Sequence, residues 1–466
     1  MALSPGKHGV IVTHGIGDNM KPGNLLADFT NSLADALMES PEKGGKQEIR
    51  READLSEDPP SVTLQIKSPS GEKATWVCKE AFWGDAFPPP KASTVLWWLL
   101  TKNLSNQIKN VWEGIYKDPA NDETYIPEQD KKLEKKRHPR APVWRARTKQ
   151  KSSYIILSLK SASTPVWIIP LAGIIYLFLF LIWICQFIPI IPSIGPLEKV
   201  LTWAHKLDPF LSNSLGDVQR YIEHGVWSAN ARARLEKVII AMLKDQFGRV
   251  KDITIVAHSM GCVVTYDALA KGGKVAEEIK RLESWGKSKK ITFVSVGSGI
   301  NQVFSLAKDK KSKPYAQKQF KRPLAKEITG HSGATRQTSK PLEDKFFWLD
   351  IYARRDPVPA GELNDDIIKQ AEVDPERQVK RRKVINTDNI MFDHTSYWAN
   401  KDIVMPRIAR AINGGTEYPW PEAGITPRKL SHRAKYATRL GRLAKIVIGV
   451  VIAGCVALGL KLAGIW

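Results

Sequence analysis

The stretch ITIVAHSMGCVVTYDALA, residues 253–270, decides how the chain is read. It opens as a run of β-branched apolar residues, breaks at Ser259 between small neighbours, and resumes with apolar spacing suited to a helix. A strand that passes through a sharp turn into a helix lifts the turn residue above the sheet, and Ala257 and Gly261 are small enough to let the two elements approach closely. Ser259 is therefore the first residue to explain.

Upstream, residues 10–13 read as a short strand ending at HGIG, His14 to Gly17, and residues 25–37 have helical apolar spacing. Residues 41–60 are polar and turn-rich. The segments 62–66 and 76–82 read as strands around the turn Pro69, Ser70, Gly71. Downstream of a long apolar interruption, 217–247 is expected to be a long helical stretch, 291–296 and 346–353 strands, 308–345 a loop excursion and 403–412 a closing helix. Strands alternating with helices predict an α/β fold, a mostly parallel sheet with helices on both faces.

An alcohol is a weak nucleophile at neutral pH, so Ser259 needs a base within reach and a third group to orient that base. Where the acid and then the histidine follow the serine in the chain, only His331, His394 and His432 qualify. His331 lies in a polar loop and His432 in a basic tail, which leaves His394 in FDHTSYW. For the acid, FFWLDIYARRDPVP offers Asp350 inside a strand and Asp356 at its carboxyl end, where catalytic groups of such sheets gather; Asp356 is preferred, with Asp350 and Asp393 as lesser candidates. Backbone donors for an oxyanion are expected at Met260, directly after the serine, and at Ile16, with Gly17 next in line. Gly261 permits close approach, Gly15 is read as a structural residue of the same kind, and His14 and His258 are read as structural residues that orient their loops. Four cysteines without CxxC spacing indicate neither a zinc site nor a disulfide framework, and the chemistry calls for no metal and no cofactor.

The segments VIVTHGIGDN, EAFWGD, GDVQRYI, IVAHSMGCVVTYDAL, RRDPVP and DHTSYW together resemble serine α/β-hydrolases of the lipase and esterase superfamily, in particular the bacterial-type members that start with a VxxxHGIG strand. The resemblance covers about residues 8–86 and 216–412; Ala257 stands where glycine is commonest in the family. It implies an α/β-hydrolase-like sheet, a Ser259, Asp356, His394 triad with Ile16 and Met260 as oxyanion donors, and an acyl-enzyme route for cleaving carboxylic esters. Thioester hydrolysis or acyl transfer could use the same triad. A membrane adaptor that keeps the fold without the chemistry is the reading from a different class.

The formal charge of +22 and isoelectric point near 9.7 call for an anionic partner. Ten basic residues stand between 131 and 151 against the single acid Glu134, and this run precedes 166–192, which holds no charged residue. A second basic cluster, 428–445, precedes the apolar segment 446–466. Juxtamembrane placement favours an anionic membrane surface, and no nucleic-acid-binding signature accompanies the charge. The expected organisation is a hydrolase core in two halves, 1–91 and 216–415, a basic and apolar membrane-associated cap inserted at 92–215, and a basic linker with a C-terminal transmembrane anchor at 416–466. The start of the chain lacks the apolar stretch of a secretory signal, so the catalytic region is expected on the cytoplasmic face of a membrane, acting on membrane lipid or another acylated substrate. Because HGIG and Ser259 belong to one sheet edge, 166–192 is expected to dip into the bilayer and return.

Overall fold

The structure is a computed structural model that describes residues 4–16, 21–39, 47–86, 94–95, 98, 216–308, 314–330 and 345–414, apart from 288, 354–355, 360, 376, 385 and 387–392. The two apolar segments 166–192 and 446–466, the basic runs before them, and His331 and His432 lie outside the described residues. Among the described residues no helix is long and apolar enough to cross a membrane.

Eight strands form one mixed, mostly parallel sheet. They are β1 (Gly6–Thr13), β2 (Glu48–Asp54), β3 (Ser61–Lys67), β4 (Lys73–Glu80), β5 (Asp252–His258), β6 (Lys290–Val296), β7 (Phe346–Ala353) and β8 (Val379–Val384), in the order β2-β3-β4-β1-β5-β6-β7-β8. The meander β2-β3-β4 is antiparallel, and every pairing from β4 through β1 to β8 is parallel. The pairing of β1 with β5, Thr13 opposite Ala257, joins the two halves of the chain in one sheet across more than two hundred residues of sequence.

The central strands are apolar nearly throughout because both of their faces are covered. Ile11, Ile255, Phe293 and Trp348 point to one side, into a core shared with α3 (Gly225–Leu243), α4 (Met260–Ala268), α5 (Lys274–Ser284) and α6 (Ile300–Lys308). Val12, Val256, Val294 and Ile351 point to the other, against α1 (Asn24–Glu39) and the closing helix at Val404–Ile412.

Three local expectations are corrected, and one strand is added. Residues 41–60 are not all turn: β2 lies within them, and its sequence EIRREAD carries no apolar alternation because it is an exposed edge strand. The opposite edge, β8, reads VKRRKV and was not anticipated for the same reason. The stretch 217–247 is broken at His224, whose backbone is extended (φ −127°, ψ 100°), into α2 (Gly216–Glu223) and α3. The excursion 308–345 holds two short helices, α7 (Pro314–Gln319) and α8 (Lys326–Thr329), with α9 (Asp365–Gln370) and α10 (Val404–Ile412) following β7.

Candidate active site

Ser259 is placed by the end of β5 and the start of α4. Its backbone sits at φ 56°, ψ −122°, a conformation that costs a non-glycine residue free energy and persists only when its surroundings hold it. Those surroundings are explicit: the Ser259 amide donates to Val296 O at 3.0 Å, and its carbonyl accepts from Gly299 N at 3.1 Å and Cys262 N at 3.2 Å. Gly261 is required by packing, since a Cβ there would lie 2.4 Å from the His14 carbonyl oxygen.

His394, in the turn before α10, reaches the serine from the far side of the sheet edge. Its Nε2 is 2.9 Å from Ser259 Oγ and its Nδ1 is 2.8 Å from Asp356 Oδ2. A carboxylate only accepts, so Nδ1 carries the ring proton and Nε2 is left to accept from the Ser259 hydroxyl. Asp356 is fully buried at the end of β7, its Oδ1 taking the Val358 amide at 2.9 Å and its Oδ2 also taking the Tyr397 hydroxyl at 2.8 Å.

Tyr397 was not anticipated. Its hydroxyl accepts from the Ala353 amide at 2.7 Å while donating to Asp356, and burial with the adjacent Asp356 charge raises its pKa well above the ordinary 10, so it stays a donor. Its position three residues after His394 in DHTSYW was visible, but nothing in the sequence says that the ring folds back beneath the triad. Gly297, at φ +55°, makes room for it: a Cβ there would lie 2.6 Å from the tyrosine ring and 3.0 Å from Asp356 Oδ2.

The lesser acid candidates do other things. Asp350 faces Ser295 on β6 and accepts its hydroxyl at 2.6 Å, while Ser295 accepts the Trp348 indole N–H at 2.9 Å. Burial pushes the Asp350 carboxyl up to about 6. Asp393 is buried beside His394, but the ring nitrogen opposite Ser259 is already engaged by Asp356. The buried thiols are no alternative nucleophiles, since burial raises Cys78 to about 12 and Cys262 further still.

On the other flank, His14 Nε2 accepts the backbone amides of Trp83 and Gly84, both at 3.1 Å, so its Nδ1–H donates to Gly15 O at 2.7 Å. Its ring stacks on Trp83 at 4.8 Å, and the Trp83 indole N–H returns a bond to His14 O at 3.0 Å. Burial keeps this histidine neutral, its pKa lowered to about 4. The loop it fixes places Gly15 against Ser259, where a Cβ would fall 2.6 Å from Ser259 Cβ. His14 thus ties its loop to the Trp83–Gly84 turn. The amides of Ile16 and of Met260, the latter in the first turn of α4, have no acceptor among the described residues and remain available at this edge. Gly17 lies outside the described residues.

The arrangement joins a strained serine, a histidine of fixed tautomer, a buried carboxylate and two amides that have no acceptor among the described residues. Comparison with protein families, with curated proteins and with solved structures returns no match to this chain.

Proposed function

We propose that the protein is a serine ester hydrolase. The observation that carries this reading is the relay Ser259 Oγ, His394, Asp356 Oδ2, with links of 2.9 and 2.8 Å, ending on a serine in a strained backbone conformation. His394 Nε2 takes the Ser259 proton as Oγ attacks the ester carbonyl, and the amides of Ile16 and Met260 supply the oxyanion donors. The carbon–oxygen bond to the alcohol then breaks, and the alcohol departs with the proton held by His394. A water gives a proton to the same nitrogen while its oxygen attacks the acyl-enzyme, and the carboxylic acid leaves as Ser259 recovers its hydrogen.

Lipid acyl esters are the proposed substrates, because the chain carries the uncharged run 166–192 and the apolar run 446–466, each behind a basic cluster. Gly15 packs against Ser259, so both halves of the site occupy one side of any membrane; a segment between them crosses twice, dips and returns, or does not enter. The single long apolar run favours dipping, with the catalytic core on the cytoplasmic face. The direct test is labelling by a fluorophosphonate probe: wild type reacts and Ser259→Ala does not, and equal labelling of both removes the assignment.

A further inference from the structure

Among the described residues no lysine or arginine pairs with the buried Asp356 carboxylate. It accepts from the Val358 amide on Oδ1, and from both His394 Nδ1 and the Tyr397 hydroxyl on Oδ2. The two donors on Oδ2 come from one short segment, His394 and Tyr397 standing three residues apart before α10, so the stretch that brings the histidine also brings a second grip on its acceptor. The phenol is itself held. Its oxygen accepts the Ala353 amide at 2.7 Å, the Ala353 carbonyl accepts the Asp356 amide at 3.2 Å, and Gly297, at φ +55°, leaves the space that the ring fills. An N–H donated to the phenol oxygen polarises its O–H and strengthens the bond passed on to Asp356. The other titratable groups here are the buried Asp393 and His258, whose ring stacks on that of His394 at 4.7 Å and which burial keeps neutral, its pKa lowered to about 3. Neither donates to Asp356.

We propose that Tyr397 is a positioning residue of the hydrolytic site: it fixes Asp356 Oδ2 toward His394 and draws off part of the carboxylate charge, so that His394 is oriented without being loaded with a proton. The proposal rests on the hydrolase reading above. A buried carboxylate whose Oδ2 had the imidazole as its only donor would pull a proton strongly onto the ring, and a protonated ring cannot take the one from Ser259. The phenol competes for the charge on that oxygen. It weakens the pull on the imidazole while holding the acceptor in place, and being neutral it leaves the negative charge that stabilises the imidazolium formed in the transition state. A lysine or arginine in its position would cancel that charge.

The test follows the rate at which a fluorophosphonate probe labels Ser259 in the full chain, in detergent micelles, as a function of pH. The probe does not titrate, and the final extent of labelling counts intact sites. Labelling of wild type is expected to slow on the acid side as His394 gains a proton. In Tyr397→Phe this acid limb should move up by about one pH unit, slowing labelling on the limb roughly tenfold, since a hydrogen bond to a charged acceptor is worth at least that factor. Above the limb the rate should stay within about threefold of wild type, because the bonds from His394 and Val358 remain. Replacing Tyr397 by 3-fluorotyrosine keeps the packing and makes the hydroxyl a stronger donor, so the limb should move the other way, to lower pH. A merely structural role would reduce the final extent of labelling and leave the limb in place. The proposal is overturned by a limb that does not move in Tyr397→Phe, or that 3-fluorotyrosine leaves unmoved or shifts to higher pH. Should the phenylalanine variant fail to label at any pH, the fluorotyrosine result alone decides. A wild type that the probe does not label instead marks failure of the hydrolase reading beneath it.

Discussion

Asp350 and Asp356 stand six residues apart, and their surroundings assign them different work. Asp356 holds the tautomer of His394, so Asp356→Asn should lower kcat by about three to four orders of magnitude with the fold retained. Asp350→Asn should leave probe labelling of Ser259 close to wild type, because its partner is Ser295; comparable losses in both variants would refute this division. Tyr397→Phe removes the donor to Asp356 and leaves the Ala353 amide without its acceptor, a cost of about 1–3 kcal/mol that thermal denaturation should register. Protonation acts on the same scale. His14 and His258 have folded pKa values of about 4 and about 3 against an ordinary 6.5, so below pH 6.5 the unfolded chain binds protons that the folded chain refuses. Stability therefore falls as pH drops through that window, by up to about 1.4 kcal/mol per pH unit for each histidine. His14→Asn should be less stable at pH 7 yet show a flatter decline of Tm between pH 6.5 and 4.5. An unchanged slope would mean that His14 is not the group responsible.

At the scale of elements, α4 starts directly after Ser259, the proposed nucleophile, so what anchors this helix also fixes the elbow. Its C-terminal half is anchored by the buried Asp267, which accepts from Tyr221 of α2 at 3.0 Å, Arg232 of α3 at 3.2 Å, Gln319 of α7 at 2.6 Å and Arg322 just beyond. One carboxylate thus ties α2, α3, α7 and the turn after α7 to α4. Removing it leaves two guanidinium groups facing a hydroxyl and an amide, so Asp267→Ala should cost about 3–5 kcal/mol in chemical denaturation and loosen the elbow with it. A loss below about 1 kcal/mol would show the cluster to be solvated rather than structural. At the opposite end of the sheet, His8 of β1 binds Asp252 of β5 at 2.6 Å and Ser4 O at 3.0 Å. Desolvation disfavours its charge, but Asp252 and Ser4 outweigh this and raise its pKa. Its sign is opposite to that of His14: the stabilisation is complete below pH 6.5 and is lost as pH rises through the folded value.

At the scale of the molecule, one sheet is assembled from the two ends of the described chain, and the site exists only where they meet. That geometry predicts the sidedness of the segment between. Single cysteines at Glu134 and Asp217, on either side of the apolar run 166–192, should react with an impermeant maleimide from the same face of sealed vesicles. Labelling from opposite faces would contradict the dipping arrangement, since β1 and β5 cannot pair across a bilayer.

Some of this was legible from residues alone. The central strands are buried on both faces, so their apolar runs and the sharp turn at Ser259 are written in composition, and the order of Ser259, Asp356 and His394 selected the relay that the structure brings together. The edge strands β2 and β8 were not legible, because an exposed edge buries little and carries charge instead of alternation. Nor could periodicity reveal Tyr397 against Asp356, or Asp267 as a hub, since each depends on which groups lie across from one another after folding. The sequence by itself determined which reactive residue types stand in the chain and in what order, and which segments are buried on both faces, because local pattern follows from burial. Only the tertiary structure decided which proton sits on which nitrogen, because hydrogen-bond roles belong to pairs of groups that folding brings together, here Ser259 after β5, Asp356 after β7 and His394 before α10.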